Sequence, residues 1–174
     1  GRGAQSGILI RNAAALEHAG RLQTLIVDKT GTLTEGRPAV TDVVAFAGAG
    51  RADVLRAAAS VEQGSTHPLA QAVLQAARRE GVAPDPIADF VATPGKGMTA
   101  RVGDDGATTY VGSPAFVAER GVALDASGVA ALAAGGRTIV AVARGDRALG
   151  LVALADALRP TSAAAVRRLR AAGV

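Results

Sequence analysis

The run Leu25-Ile26-Val27-Asp28-Lys29-Thr30-Gly31-Thr32-Leu33-Thr34 decides how the rest of the chain is read. Three apolar residues stop at an acid, and a Gly-containing turn follows. That pattern reads as a buried strand delivering a carboxylate to a loop. At the carboxyl end of a sheet strand, such a carboxylate sits where α/β proteins place their chemistry. Asp28 is therefore read as a candidate catalytic carboxylate rather than as a residue that merely caps a turn. Seven fixed residues, Asp28 to Thr34, recur by chance on the order of once in a billion positions, so the stretch counts as a motif.

The bulk composition sets what surrounds it. A chain of 174 residues has room for one domain or two small ones. With 49% hydrophobic and 20% charged residues it buries a core. There are only three Phe and one Tyr, so that core must be built from Ala, Val and Leu. The net charge of +4 comes from scattered Arg, without a basic block, which argues against nucleic-acid binding. The sequence has no Cys, which excludes disulfides, zinc knuckles and thiol chemistry and fits a reducing cytosol. No apolar run approaches the roughly 20 residues that span a bilayer, and no signal peptide is visible. The segment reads as soluble.

Residues 7–10 form an apolar run ending at Arg11, and Asn12 to Gly20 has helical propensity with Gly20 as its stop. His18 is read as a solvated helix residue. After the motif, Glu35-Gly36-Arg37-Pro38 reads as a turn, and Val40 to Phe46 alternates as a strand. Helices are expected over about 52–62 and from His67-Pro68 to Glu80, as a hairpin, with Pro in the first turn where its missing N–H costs nothing. Ile87–Ala92, Met98–Val102 and Thr108–Val111 read as strands, the last two joined by an Asp-Asp-Gly turn. Ser113-Pro114 opens a short helix, residues 125–134 make another, Thr138–Ala143 and Ala148–Ala153 are strands, and a final helix starts at Pro160-Thr161.

Asp28 to Thr34 matches the phosphorylation signature of P-type ATPases, and the resemblance extends along the chain from Gly7 to Val174. Gly7 to Arg11 followed by Ala-Leu-Glu resembles the segment that leaves the membrane in the heavy-metal (P1B) subgroup. Ser60-Val61-Glu62, His67-Pro68, Gly95-Lys96-Gly97 and Val111-Gly112-Ser113 follow the order of that subgroup's nucleotide-binding domain, with Ser113 where the family usually has Asn. Asp156-Ala157-Leu158-Arg159-Pro160 looks like the hinge of return; without the resemblance, a loop with an N-cap reads equally well. The implied fold is α/β: an antiparallel sheet flanked by helical hairpins, inserted in a partial haloacid-dehalogenase-like Rossmann phosphorylation domain. The implied division is 1–36 (membrane linker and start of the phosphorylation domain), 37–153 (nucleotide-binding domain) and 154–174 (hinge and return).

The implied chemistry is export of heavy-metal cations by ATP hydrolysis through an aspartyl-phosphate, with ATP and Mg²⁺ as cofactors. Cu⁺ or Ag⁺ is favoured as cargo, with Zn²⁺, Cd²⁺ or Pb²⁺ second. Asp28 would be the catalytic nucleophile and, with the Thr30 carbonyl, a Mg²⁺ ligand. Lys29, Thr30, Gly31 and Thr32 would surround the phosphoryl group, Lys29 being the weakest assignment. Haloacid-dehalogenase-like phosphatases usually carry an acid two residues after the nucleophile. Thr30 stands there instead, so no carboxylate is poised to hydrolyse the intermediate. His67 at a helix start can present its ring to a purine, Glu62 can accept from the exocyclic amine, and Gly95 and Gly97 let the backbone approach a flat ring. Asp156 and Arg159 would form the hinge. The family's remaining phosphate and metal loops fall beyond this segment, so the chain is expected to bind ATP while phosphorylating itself poorly. It would be a cytoplasmic part of an integral membrane protein. A soluble phosphatase with a large cap and a non-catalytic nucleotide-binding module are the competing readings.

Overall fold

The computed structural model describes residues 2–5, 7–10 and 12–174, with the backbone alone for Arg2 and Leu16. Arg11, which closes the run at the start of the chain, lies outside the described residues, as does Gly1. The chain divides into two compact units: one comprises residues 36–157, the other residues 1–35 together with 158–174.

The larger unit is built on a six-stranded sheet of order β1-β6-β5-β4-β3-β2. Its strands are β1 (Thr34–Ala45), β2 (Ile87–Thr93), β3 (Gly97–Val102), β4 (Ala107–Gly112), β5 (Thr138–Arg144) and β6 (Arg147–Leu158). From β2 to β6 each neighbouring pair is antiparallel. The central strands are apolar on both faces, and the period of two divides them between two cores. On β5 and β6, Val140, Val142, Val152 and Leu154 join one core with α3 (Arg51–Glu62) and α4 (Pro68–Arg79). Ile139, Ala141, Ala143, Leu151 and Ala153 join the other, with Phe116 and Val117 of α5 (Pro114–Ala118), which α6 (Ala126–Ala133) partly covers.

Caps fix the helix starts. The Ser113 hydroxyl accepts from the Phe116 N–H at 3.2 Å, and the Asp125 carboxylate accepts from the Ser127 and Gly128 N–H groups at 3.0 Å each. The Ser127 hydroxyl, together with those N–H groups, holds the Asp125 carboxyl below its ordinary range.

The smaller unit holds α1 (Arg2–Gln5), α2 (Ala13–Ala19), the loop after Asp28 and α7 (Ser162–Ala171). Here the expected buried strand at Leu25–Val27 does not form. Those residues have no strand partner among the described residues and are 46%, 94% and 37% exposed. A lone extended segment leaves its N–H and C=O groups unpaired, so apolar patterning alone cannot make it a strand. The Rossmann sheet is therefore not formed by this segment itself. Glu35–Pro38 is likewise not a turn but part of β1. An edge strand tolerates Pro38, which has no N–H to give, and Gly36 takes the irregularity at φ +73°. Asp156 lies inside β6 and not in a loop.

Candidate nucleotide and phosphoryl sites

In the larger unit, a cavity of about 350 Å³ opens where α3 ends, α4 begins and four strands, β2 to β5, meet. Glu62, His67, Gly95 and Gly97, far apart in sequence, all line it. Glu62 is the last residue of α3 and only 3% exposed, and its Oε2 has no hydrogen-bond partner. Burial pushes its carboxyl up to about 7. A buried acceptor left unpaired at a cavity wall suits a ligand that brings an N–H donor.

His67 is the N-cap of α4, and its Nδ1 accepts from the Leu69 N–H at 3.2 Å. The imidazole thus offers its Nε2–H as a donor. The glycines act through closeness. Gly97 pairs with Gly112 across β3 and β4, and a Cβ on Gly97 would meet Phe116 Cδ1 and the Val111 carbonyl at 2.6 Å each. Gly95 holds φ +72° in the turn before β3. Lys96, between them, is tied to Glu119 at 3.0 Å. Ser113 also lines the cavity, but its hydroxyl is spent on capping α5. Gly112, from the Val111–Ser113 stretch, lines the wall too, as do Thr138 and Met98, which were not singled out as ligand contacts. Their place depends on strand register, and the Gly97–Gly112 pair facing a large Phe is the one sign the sequence carried.

In the smaller unit, Asp28 is exposed, and its carboxylate makes no capping bond to the loop that follows. Lys29, Thr30, Gly31 and Thr32 follow it in a tight loop in which Thr30 is extended (φ −77°, ψ 122°) and Gly31 left-handed (φ +77°). Gly31 is needed there because a Cβ would strain that backbone angle. Thr34 Oγ1 accepts from the Gly31 N–H at 3.0 Å and donates to the Lys29 carbonyl at 3.1 Å. The returning chain holds the loop from the other side. Arg159 Nη2 donates to the Gly31 carbonyl at 2.9 Å, and the Ser162 hydroxyl donates to the Leu33 carbonyl at 2.7 Å. Thr34 and Ser162 were missed as supports because their partners are backbone atoms. In the larger unit, the Asp156 carboxylate accepts from the Gly36 and Arg37 N–H groups at 3.1 and 3.0 Å. Among the described residues, no three His, Cys, Asp or Glu side chains gather to hold a metal ion.

A haloacid dehalogenase-like hydrolase family model matches residues 22–174, and the chain belongs to that family. Within it, the resemblance is to P-type ATPases. The chain is 43% identical over 176 aligned residues to a copper-transporting P-type ATPase of Rhizobium leguminosarum bv. viciae. It is 39% identical over 176 to the silver exporting P-type ATPase of Salmonella typhimurium. Both alignments take in 100% of this chain and 21% of the relative, so the chain spans about a fifth of these proteins. The crystal structure of a zinc-transporting PIB-type ATPase in its E2.Pi state superposes with a TM-score of 0.74 at 38% identity. That match covers 98% of this chain and 28% of the other.

Proposed function

We propose that the chain is the ATP-binding and phosphorylation-site region of an ATP-driven heavy-metal export pump, with Asp28 as the residue phosphorylated. The observation that carries this reading is the presence in one chain of two complementary parts. One is the Asp28–Thr34 loop; the other is a cavity at which a buried Glu62 oxygen awaits a donor. In the reaction, a carboxylate oxygen of Asp28 attacks the γ-phosphorus of ATP, the bond to the β,γ-bridging oxygen breaks, and ADP leaves. Gly31, fixed by Thr34 and Arg159, keeps the loop in shape for the backbone N–H groups around the phosphoryl oxygens. Glu62 accepts from the adenine amine, His67 donates, and Gly95 and Gly97 admit the ring.

The Asp28 carboxylate and the Thr30 carbonyl are hard oxygen donors of the kind Mg²⁺ takes, and two protein oxygens suffice when phosphates and water complete its shell. When bound, Mg²⁺ neutralises charge on the phosphate oxygens. Thr30, having no carboxyl, leaves no general base beside the acyl phosphate, which favours a pump over a phosphatase. Residues 36–157 serve as the nucleotide-binding domain, the other unit as part of the phosphorylation domain, and the whole belongs on the cytoplasmic side of a membrane protein. Asp156 and Arg159 act at the connection between the two.

Copper(I) or silver is the proposed cargo, after the relatives that align with the whole chain. The zinc-transporting structure at 38% identity supports zinc as the second reading. The test is phosphorylation of the full-length pump by γ-labelled ATP. Label lost in Asp28→Asn and stimulated by Cu⁺ or Ag⁺ supports the proposal. Label that persists in Asp28→Asn overturns it, and stimulation by Zn²⁺ alone selects the second reading.

A further inference from the structure

The larger unit has a second cavity, of about 270 Å³, toward the opposite end of α3 from Glu62. Three guanidinium groups line it: Arg56 on α3, Arg144 at the end of β5 and Arg147 at the start of β6. Two carboxylates, Asp53 and Asp85, line it as well. Thr109 of β4 also lines it, opposite Arg144 in the strand register. Thr109 is 0% exposed, and its Oγ1 has no hydrogen-bond partner. None of these residues takes part in the proposed nucleotide or phosphoryl chemistry.

The unpartnered hydroxyl is the informative feature. Val has the same shape and would fill the position without burying an unpaired polar group, so packing gives no reason for Thr here. The guanidinium groups have donors to spare. Arg56 reaches Asp53 at 3.4 Å, Arg147 reaches the Ala47 carbonyl at 3.2 Å, and Arg144 reaches Asp105 and the Val102 carbonyl. Each guanidinium has five N–H donors. Asp53 is already engaged by the Gly50 N–H and Arg56. Three guanidinium groups thus face two acids on the cavity wall, with Asp105, off the wall, taking one edge of Arg144, and the planar fork of Arg matches a tetrahedral oxyanion.

We propose that this cavity binds a phosphate-type oxyanion, held by Arg56, Arg144 and Arg147, with the Thr109 hydroxyl donating to one of its oxygens. Asp85 on the wall adds selectivity. Phosphate near neutral pH keeps a P–OH that can donate to a carboxylate, whereas sulfate has no proton to give and meets Asp85 with repulsion only.

The experiment is an amide chemical-shift titration of the 174-residue chain with inorganic phosphate at fixed ionic strength. Saturating shifts at Arg56, Thr109, Arg144 and Arg147 are expected, with millimolar affinity. Thr109→Val and Arg147→Gln should each weaken binding about tenfold, and sulfate should bind about tenfold less well than phosphate. Thr109→Val, without phosphate, should unfold at no lower denaturant concentration than the native chain, and ATP-induced shifts at Glu62 and His67 should be unchanged. Absence of saturating shifts at these four residues overturns the proposal. So does undiminished binding in both variants, or equal responses to phosphate, sulfate and chloride.

Discussion

Replacing Glu62 with Gln tests the burial argument at the proposed nucleotide cavity directly. The carboxyl is almost fully inside the protein, one oxygen is unpartnered, and burial carries it from its ordinary 4.5 to about 7. That displacement is worth about 3 kcal/mol in favour of the protonated form. The sign follows from proton counting. Between about pH 4.5 and 7 the folded chain keeps a proton that the unfolded chain has released. Stability from this group therefore falls as pH rises through that interval and is flat above it. Gln does not titrate. Urea denaturation of the native chain and Glu62→Gln at pH 5, 6, 7 and 8 should show their difference moving in the variant's favour by about 3 kcal/mol, nearly all of it below pH 7.5. ATP adds a second reading, because an amine donor pairs best with the ionised acid. Nucleotide binding should thus strengthen from pH 6 to 8 and release a proton, measurable by calorimetry in buffers of different ionisation enthalpy. A stability difference that stays constant from pH 5 to 8 would refute the reasoning.

Gly97→Ala places a methyl 2.6 Å from Phe116 Cδ1 and the Val111 carbonyl. It should cost about 2 kcal/mol or more and abolish ATP binding, read by urea midpoint and nucleotide titration. A variant as stable as the native chain would show that the strands can separate there. Asp156→Ala removes the acceptor of the Gly36 and Arg37 N–H groups. Those two amides should exchange with solvent faster, at a cost of about 1–2 kcal/mol; unchanged exchange would contradict the assigned bonds. In the isolated chain, Asp28→Asn should leave ATP affinity unaltered within about twofold, since the cavity is lined by residues of the larger unit only.

Much of the larger unit was legible because its signals are local. Caps at His67, Ser113 and Asp125, the Asp-Asp-Gly turn and the apolar runs of β5 and β6 each determine their own neighbourhood. The candidate nucleotide cavity was legible in part. Glu62 and His67 flank one helical turn-around, so spacing brings them together. Thr138 and Met98 reach the same wall only through strand register, which no local pattern encodes. The failures at Leu25–Val27 and Glu35–Pro38 share a cause. Pattern states which surface a segment can bury, but a strand exists only beside another strand. Leu25–Val27 has no such neighbour among the described residues, whereas Glu35–Pro38 lies against β6 despite its turn-like composition.

That strand pairing also bears on the proposed hinge. The segment 156–162 holds the backbone of 31–37 at separate points, and each contact closes within one unit. Asp156 takes the Gly36 and Arg37 N–H groups in the larger one. In the smaller one, Arg159 and Ser162 take the Gly31 and Leu33 carbonyls. The chain crosses between units at 35–36 and again at 157–158, between these contacts. Both crossings lie within the paired strands β1 and β6. The loop after Asp28 is thus held by bonds that lie wholly within its own unit, as the proposed role of Asp28 as phosphoryl acceptor requires of its surroundings. Within seven residues the returning chain supplies the acceptor for the Gly36 and Arg37 amides of β1 and the donors for the loop's carbonyls.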